Sequence, residues 1–348
     1  MPPTLTERHK RAAMTESNLL LEVKDLHTLF HLREGTVRAV DGASFSIEYG
    51  QTVGVVGESG CGKSMTARSI LRIEPRNATV SGEILFHRRG ESGTVDLTKL
   101  DPTGIEIRKI RGQEIAMIFQ EPMSSFSPVH TIGAQIMEAI LLHQNVDHAE
   151  ARKRAISVLE LVGMAKPARN IDRYPHQLSG GMRQRAMIAM GLSCRPALLI
   201  ADEPTTALDV TTQAVILKLM KDLQKELGMA IMFITHDLGV ISQMTRYVVV
   251  MYMGKVVEAG PVIELFQNPQ HPYTQALLKS IPMIDRDLDR LAVIPGSVPD
   301  PFNLPPGCRF HPRCPYMIAG TCDVTDPANV ETSPNHFARC VLAKAALT

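Results

Sequence analysis

The 348-residue chain contains no tryptophan, and aromatic residues make up only 5% of it. It holds no uninterrupted apolar run of the eighteen or so residues that would span a bilayer. Opposite charges nearly cancel. The formal net charge is +1, which gives no electrostatic case for a nucleic-acid partner. The opening stretch, MPPTLTERHKRAAMTESN, lacks the apolar segment of a secretory signal, so residues 1–18 are expected to form a flexible tail and the chain to reside in the cytosol. Cysteine is scarce, six in all, yet three fall within GCRFHPRCPYMIAGTC, residues 307–322. Disulfides are rare in the cytosol, where clustered cysteines more often bind metal or do redox work.

What is present is the composition of a globular protein with a sizeable core, 44% apolar and 21% charged residues. The length predicts one large domain and something smaller. LLLEVKDLHTLF and AVDGASFSIEYG alternate as half-buried strands. QTVGVVG, EIAMIF, ALLIAD, MAIMFIT and YVVVMYM are short apolar runs suited to strands buried on both faces. Helical stretches separate several of these strands, which predicts a parallel α/β core. In one of them, residues 211–227, Val215, Leu219 and Leu223 are expected to form the apolar face. Between Pro128 and Pro196 strand signals give way to helix signals, so an all-helical insertion is expected. Past about residue 265 proline and glycine increase and periodicity fades, which predicts a second, irregular region.

Three stretches carry chemistry. GESGCGKS comprises Gly57, Glu58, Ser59, Gly60, Cys61, Gly62, Lys63 and Ser64, and fills the G-x-x-x-x-G-K-[ST] pattern between a strand and a helix that opens near Met65. Its glycines let backbone N–H groups curl toward phosphate oxygens. Lys63 can reach the β and γ phosphates, and Ser64 can ligate Mg²⁺. Cys61 stands where a small residue is needed. ALLIADEP ends a strand in two carboxylates: Asp202 is placed to serve Mg²⁺, and Glu203 to polarise a water for attack on the γ-phosphate. In LSGGMRQR, Ser179 reads as a helix cap, and Gly180 and Gly181 leave the first helical N–H groups uncovered as a second anion site.

Together with FQEP containing Gln120, ALD at 207–209 and ITHD containing His236, these motifs resemble the ATP-binding cassette (ABC) ATPases in content and order. The resemblance implies a P-loop NTPase core of ABC type over residues 19–265, with an antiparallel β subdomain and an inserted helical subdomain at about 121–195. It implies that Gln120 touches Mg²⁺ and the attacking water and senses a membrane partner. It further implies that Ser179, Gly180 and Gly181 clasp ATP on a second cassette docked head to tail, that Asp209 lies in the D-loop, and that His236 is the switch histidine. Phe30 is the candidate for stacking on adenine. The helical subdomain should cup a membrane subunit, with Met123, Phe126 and Met137 as candidate contacts.

FQNPQHPYTQALLKSIP and PGSVPDPFNLPPGCRFHPRCP resemble the C-terminal extension of oligopeptide/dipeptide importer ATPases, placing a second domain at 266–348. LSGGMRQRAMIAM is similar to the D-type subunit of such importers. That resemblance implies an F-type cassette partner, two transmembrane permease subunits and an extracytoplasmic solute-binding protein, at the cytoplasmic face of a bacterial inner membrane. Peptides are the expected solute, with oligosaccharides, nickel and opine-like compounds as alternatives. Cys308, Cys314, Cys322 and Cys340 follow C-x₅-C-x₇-C-x₁₇-C, which contains no C-x₂-C pair and so argues against a zinc ribbon. Four thiolates can ligate a 4Fe–4S cubane, and family members with such a tail are thought to carry one; zinc and unliganded thiols are the alternatives. A soluble ABC ATPase acting on ribosomes or nucleic acid is the rival class, opposed by the single cassette and the balanced charge. An iron–sulfur electron carrier with a vestigial nucleotide fold is excluded by the complete set of ATPase motifs.

Overall fold

The computed structural model describes residues 18–89, 93–120, 125–206, 208–280 and 294–343. In chain order these form β1 (Leu19–Leu32), β2 (Gly35–Glu48), β3 (Thr52–Val56), α1 (Lys63–Ile70), β4 (Ala78–His87), β5 (Thr94–Asp96), α2 (Ile105–Ile110) and β6 (Ile115–Ile118). Four helices follow: α3 (Ile132–His143), α4 (His148–Leu161), α5 (Pro167–Asn170) and α6 (Gly180–Leu192). The chain continues through β7 (Leu198–Asp202), α7 (Val210–Leu227), β8 (Ala230–Thr235), α8 (Leu238–Met244), β9 (Tyr247–Tyr252) and β10 (Lys255–Pro261). It ends with α9 (Val262–Gln267), α10 (Pro272–Lys279), β11 (Val330–Ser333) and β12 (His336–Ala338). Among the described residues, no helix is long and apolar enough to cross a membrane.

The chain divides into two compact units. The first comprises residues 1–22, 46–51 and 85–232. In it β6 and β7 pair in parallel, Ile115 opposite Leu198 through Ile118 opposite Ala201. β7 is buried at all five positions, as its unbroken apolar run requires. The helical insertion lies here as expected, α3 to α6. Thr131 caps α3 through Ala134 N–H, and Asp147 caps α4 through Glu150 N–H.

Helix α7 corrects the sequence expectation. Its buried residues are Ile216, Leu217, Met220 and Leu223, whereas Val215 is 46% exposed. The two candidate faces lie one residue apart on the helix, and both fit a 3.6-residue period, so packing decides between them. Gly228 ends the helix at φ 63°, a left-handed cap that glycine adopts without strain.

The second unit comprises residues 23–45, 52–84 and 233–348. β1 lies between β2 and β4 in one sheet, and the other runs in the order β11-β12-β10-β9-β3. β3 and β9 are parallel, while β10 is antiparallel to both β9 and β12. The region past residue 265 is therefore less irregular than its composition suggests. Pro272 occupies the first turn of α10, where its missing N–H costs nothing, and β12 adds directly to the core strand β10. The junction is built on Glu258, 1% exposed, whose carboxylate accepts from Gln270 N–H (2.7 Å), His271 N–H (2.9 Å) and His336 Nε2 (2.8 Å). A buried carboxylate is costly unless it is fully partnered, so these three donors fix the C-terminal chain to β10.

Candidate functional site

The glycine loop leaves β3 and turns into α1. Gly57, Gly60 and Gly62 sit at φ 154°, 79° and 104°, where other residues are strained. A Cβ at Gly57 would overlap the Met251 carbonyl oxygen, and one at Gly62 the Ala39 carbonyl oxygen, whereas nothing approaches Gly60. Gly62 is also the N-cap residue of α1 and has no side chain to cover the helix end, so the first N–H groups of α1 can receive an anion. Lys63 is 5% exposed, and its Nζ donates to the carbonyls of Gly57 (2.7 Å) and Glu58 (3.0 Å). Ser64 and Met65 are half-buried in the first turn, and Ser59 is exposed at the loop tip. Cys61 is buried, and burial pushes its thiol up despite the nearby Lys63 ammonium, so it stays protonated and serves as a small residue. Phe30 is half-buried on β1 in the same unit, and His236 is exposed at the end of β8. Asp237, which follows, caps α8 through Gly239 and Val240 N–H.

The first unit gathers the other candidates. Asp202 is buried at the end of β7, and Glu203 follows it at φ 47°, an uncommon conformation for a residue with a side chain. Glu203 Oε2 accepts from Gln120 Nε2 (3.0 Å) and from Thr206 Oγ1 (2.9 Å), so two donors orient one carboxylate oxygen. Ser179 caps α6 as expected, accepting from Met182 N–H at 3.4 Å, with Gly180 exposed and Gly181 half-buried beside it. Asp209 caps α7 through Thr212 N–H (2.9 Å) and Thr212 Oγ1 (2.7 Å), and these bonds hold its carboxyl below the ordinary range. The cap role was readable from D-x-x-T but was not part of the sequence expectation.

Two further residues had no sequence signal. Gln184, 2% exposed, donates from Nε2 to the Pro204 carbonyl and so ties α6 to the turn that carries Glu203. In the second unit Arg313 donates to both Glu58 carboxylate oxygens (2.7 and 3.1 Å). Met123 and Ala207 lie outside the described residues. Phe126 is 4% exposed, a core residue rather than a surface contact, whereas Met137 lines a surface groove with Ala134, Leu141 and the 73% exposed Leu142.

Cys308, Cys314, Cys322 and Cys340 line one pocket in the second unit, with His271, Phe310 and Tyr316. Burial and the neighbouring cysteines raise the Cys308 thiol to about 11. Ile318 N–H and Leu342 N–H each lie 3.4 Å from a pocket sulfur, Cys322 and Cys340 respectively. Buried His271 accepts the Tyr273 N–H on Nδ1 (3.0 Å), which assigns the proton to Nε2, and that Nε2 has no partner. Among the described residues no group of three or more His, Cys, Asp or Glu is arranged to hold a metal ion.

Residues 40–206 match the ABC transporter family, and residues 257–322 match the oligopeptide/dipeptide transporter C-terminal region. The chain belongs to the ABC transporter ATPases, and it is an ATP-hydrolysing cassette coupled to transport. It is 50% identical over 328 residues to a probable peptide ABC transporter ATP-binding protein, y4tR, of Sinorhizobium fredii, covering 93% of this chain and 95% of that one. It is 49% identical over 326 residues to the oligopeptide transport ATP-binding protein AppD of Bacillus subtilis, covering 93% and 96%. Among solved structures, a post-hydrolysis dimer of the ATP-binding cassette MJ0796 bound to ADP and Pi matches with TM-score 0.61 and 27% identity, covering 70% of this chain and 99% of that one.

Proposed function

We propose that the chain is the ATPase subunit of a bacterial peptide importer, located at the cytoplasmic face of the membrane. In this reading it pairs head to tail with an F-type cassette, beneath two permease subunits supplied by an external solute-binding protein. The observation that carries the chemistry is Glu203, held at φ 47° with its Oε2 oriented by Gln120 and Thr206. The peptide reading is supported by the match at 257–322 and by the names of the relatives.

The mechanism follows from the residues. Backbone N–H groups of 60–65 cradle the β and γ phosphates, and Lys63 leaves its carbonyl rests to neutralise them. Phe30 stacks on the adenine. Mg²⁺, when bound, supplies charge neutralisation across the phosphates, and Ser64, Gln120 and Asp202 are the residues to hold it. Glu203 takes a proton from the attacking water, and His236 orients the γ-phosphate. The capped end of α6, with Ser179, Gly180 and Gly181, closes on the partner's nucleotide, and Asp209 lies at the same junction. The Met137–Leu142 groove receives a permease helix.

We further propose that Cys308, Cys314, Cys322 and Cys340 hold a 4Fe–4S cluster. What supports this reading is that the four cysteines line one pocket, that backbone N–H groups lie 3.4 Å from two of their sulfurs, and that His271 Nε2 is an unpartnered buried donor at its wall, although the four do not form a ready-made metal cage. Such a cluster would supply a covalent clip across the proline-rich tail or a one-electron redox site. Zinc remains the alternative ligand.

Reconstitution with the F-type, permease and binding-protein subunits tests the function. Peptide-loaded binding protein should raise ATP turnover several-fold. Stimulation by oligosaccharide or nickel but not by peptide would replace the assigned solute.

A further inference from the structure

Residues 308–314 form one tight turn with two faces. His311 N–H donates to Cys308 C=O (2.9 Å), and Cys314 N–H donates to His311 C=O (3.2 Å). Cys308 and Cys314 line the cysteine pocket. Phe310, 1% exposed, packs edge-on against Tyr252 and Tyr273, with ring centroids 5.3 and 5.4 Å away. The arginine beside each of these cysteines reaches toward the glycine loop. Arg309 donates to the Met253 carbonyl and to the Asp41 carboxylate, and the adjoining Gly254 N–H donates to Cys61 C=O at 2.9 Å. Arg313, its side chain 4% exposed, grips Glu58 with two guanidinium nitrogens.

Glu58 is therefore held at three points. Its carboxylate takes the Arg313 fork, its N–H donates to Tyr273 Oη (2.9 Å), and its carbonyl accepts Lys63 Nζ (3.0 Å). The remaining Arg313 donors go to Pro295 C=O (3.1 Å), Ile294 C=O (3.4 Å) and Tyr252 Oη (3.3 Å). A bidentate, charge-assisted pair with one side chain so thoroughly buried is both strong and directional.

We propose that Arg313 is a positioning residue for the phosphate loop. Through Glu58 it fixes the carbonyls on which Lys63 rests, and it thereby couples the cysteine turn to nucleotide binding. The inference rests on the reading that residues 57–65 bind nucleotide. It assigns no chemistry to Arg313, which touches neither phosphate nor water in this role. Coupling of this kind is reciprocal, so bound nucleotide must stabilise the turn as much as the turn favours nucleotide.

The test uses the full chain as purified and two readouts, ADP affinity and backbone hydrogen exchange over 308–314. Arg313→Met should weaken ADP by between about 5- and 150-fold, the usual span of such coupling. Arg313→Lys, which keeps the charge and loses the fork, should fall between. Glu58→Gln, at a side chain 26% exposed and so tolerant of change, should weaken ADP similarly. Arg313→Met in that background should add no further loss. ADP should slow exchange at 308–314 several-fold in the wild type and not in either variant. A purely structural arginine would lower the melting temperature and leave ADP affinity within twofold; that result, or undiminished protection of the turn in both variants, overturns the proposal. Lys63→Ala separates the two readings, since unchanged ADP affinity there would instead remove the phosphate-loop assignment.

Discussion

Gln120 Nε2 donates to Glu203 Oε2 at 3.0 Å, across 83 residues of sequence. The bond orients the carboxylate that the proposed mechanism uses as a base, from a residue just past β6. Glu203→Gln should keep ATP binding and cut turnover in the assembled transporter by roughly 10²–10⁴-fold, the usual worth of a positioned general base. Gln120→Ala should cost less, because Thr206 still holds the same oxygen. Single-turnover hydrolysis measures both, and a Glu203→Gln rate near wild type would remove its role.

Ser179 caps α6, and in the proposed pairing it also clasps the partner's nucleotide. Ser179→Ala should lower the melting stability by about 1 kcal/mol, the typical value of an N-cap side chain. Nucleotide affinity of the isolated chain should hold, and ATPase activity of the paired cassettes should fall. An isolated chain that hydrolyses ATP at the assembled rate at high dilution would contradict the head-to-tail pairing.

Asp41 and Arg309 form an ion pair in which the side chains are 9% and 6% exposed. Burial alone would raise the Asp41 carboxyl, but Arg309, His27, Lys255 and Arg38 outweigh it and hold the group below its ordinary 3.8. The folded state thus binds this proton less readily than the unfolded chain. The resulting stability is present above about pH 4 and is lost as the pH falls through the lowered value. Arg309→Met should destabilise by about 3–5 kcal/mol, since it strands a buried carboxylate, and adding Asp41→Asn should recover most of that loss. Urea melts at pH 7 and pH 3 check both statements, and the double variant should show the shallower pH dependence.

Protein prepared without oxygen should be brown, with broad absorption near ~400 nm and about four irons per chain, as Cys₄ ligation of a cubane implies. Cys308→Ser or Cys322→Ser should bleach it, increase proteolysis within residues 294–343 and, through the Arg313–Glu58 pair, weaken nucleotide binding without abolishing it. One equivalent of zinc with no iron would reassign the pocket, and neither metal would leave four reduced thiols.

The glycine loop, the paired carboxylates, the Ser179 cap and the helical insertion were legible because each is a local pattern tied to local geometry. Other features were not. β10 carries Gly260 and Pro261 and reads as a turn, and β12 has only three residues, too short for alternation to register. The Arg313–Glu58 pair spans 255 residues, and nothing near either residue marks the other. The face of α7 failed for a different reason, since Val215 and Ile216 fit the periodicity equally and only packing separates them. Phe126 is a comparable case, an aromatic in a polar stretch that the fold takes into its core.

The Glu258 junction bears on how the polypeptide is made. β10 emerges from the ribosome some 75 residues before His336, so its carboxylate lacks its third donor and its outer edge lacks β12 until synthesis is nearly complete. An unpaired strand edge is a template for association with other chains. A nascent cassette with its glycine loop, Glu203 and Ser179 already translated is thus still an aggregation hazard, and a premature stop anywhere before β12 should yield insoluble protein rather than a trimmed but working ATPase.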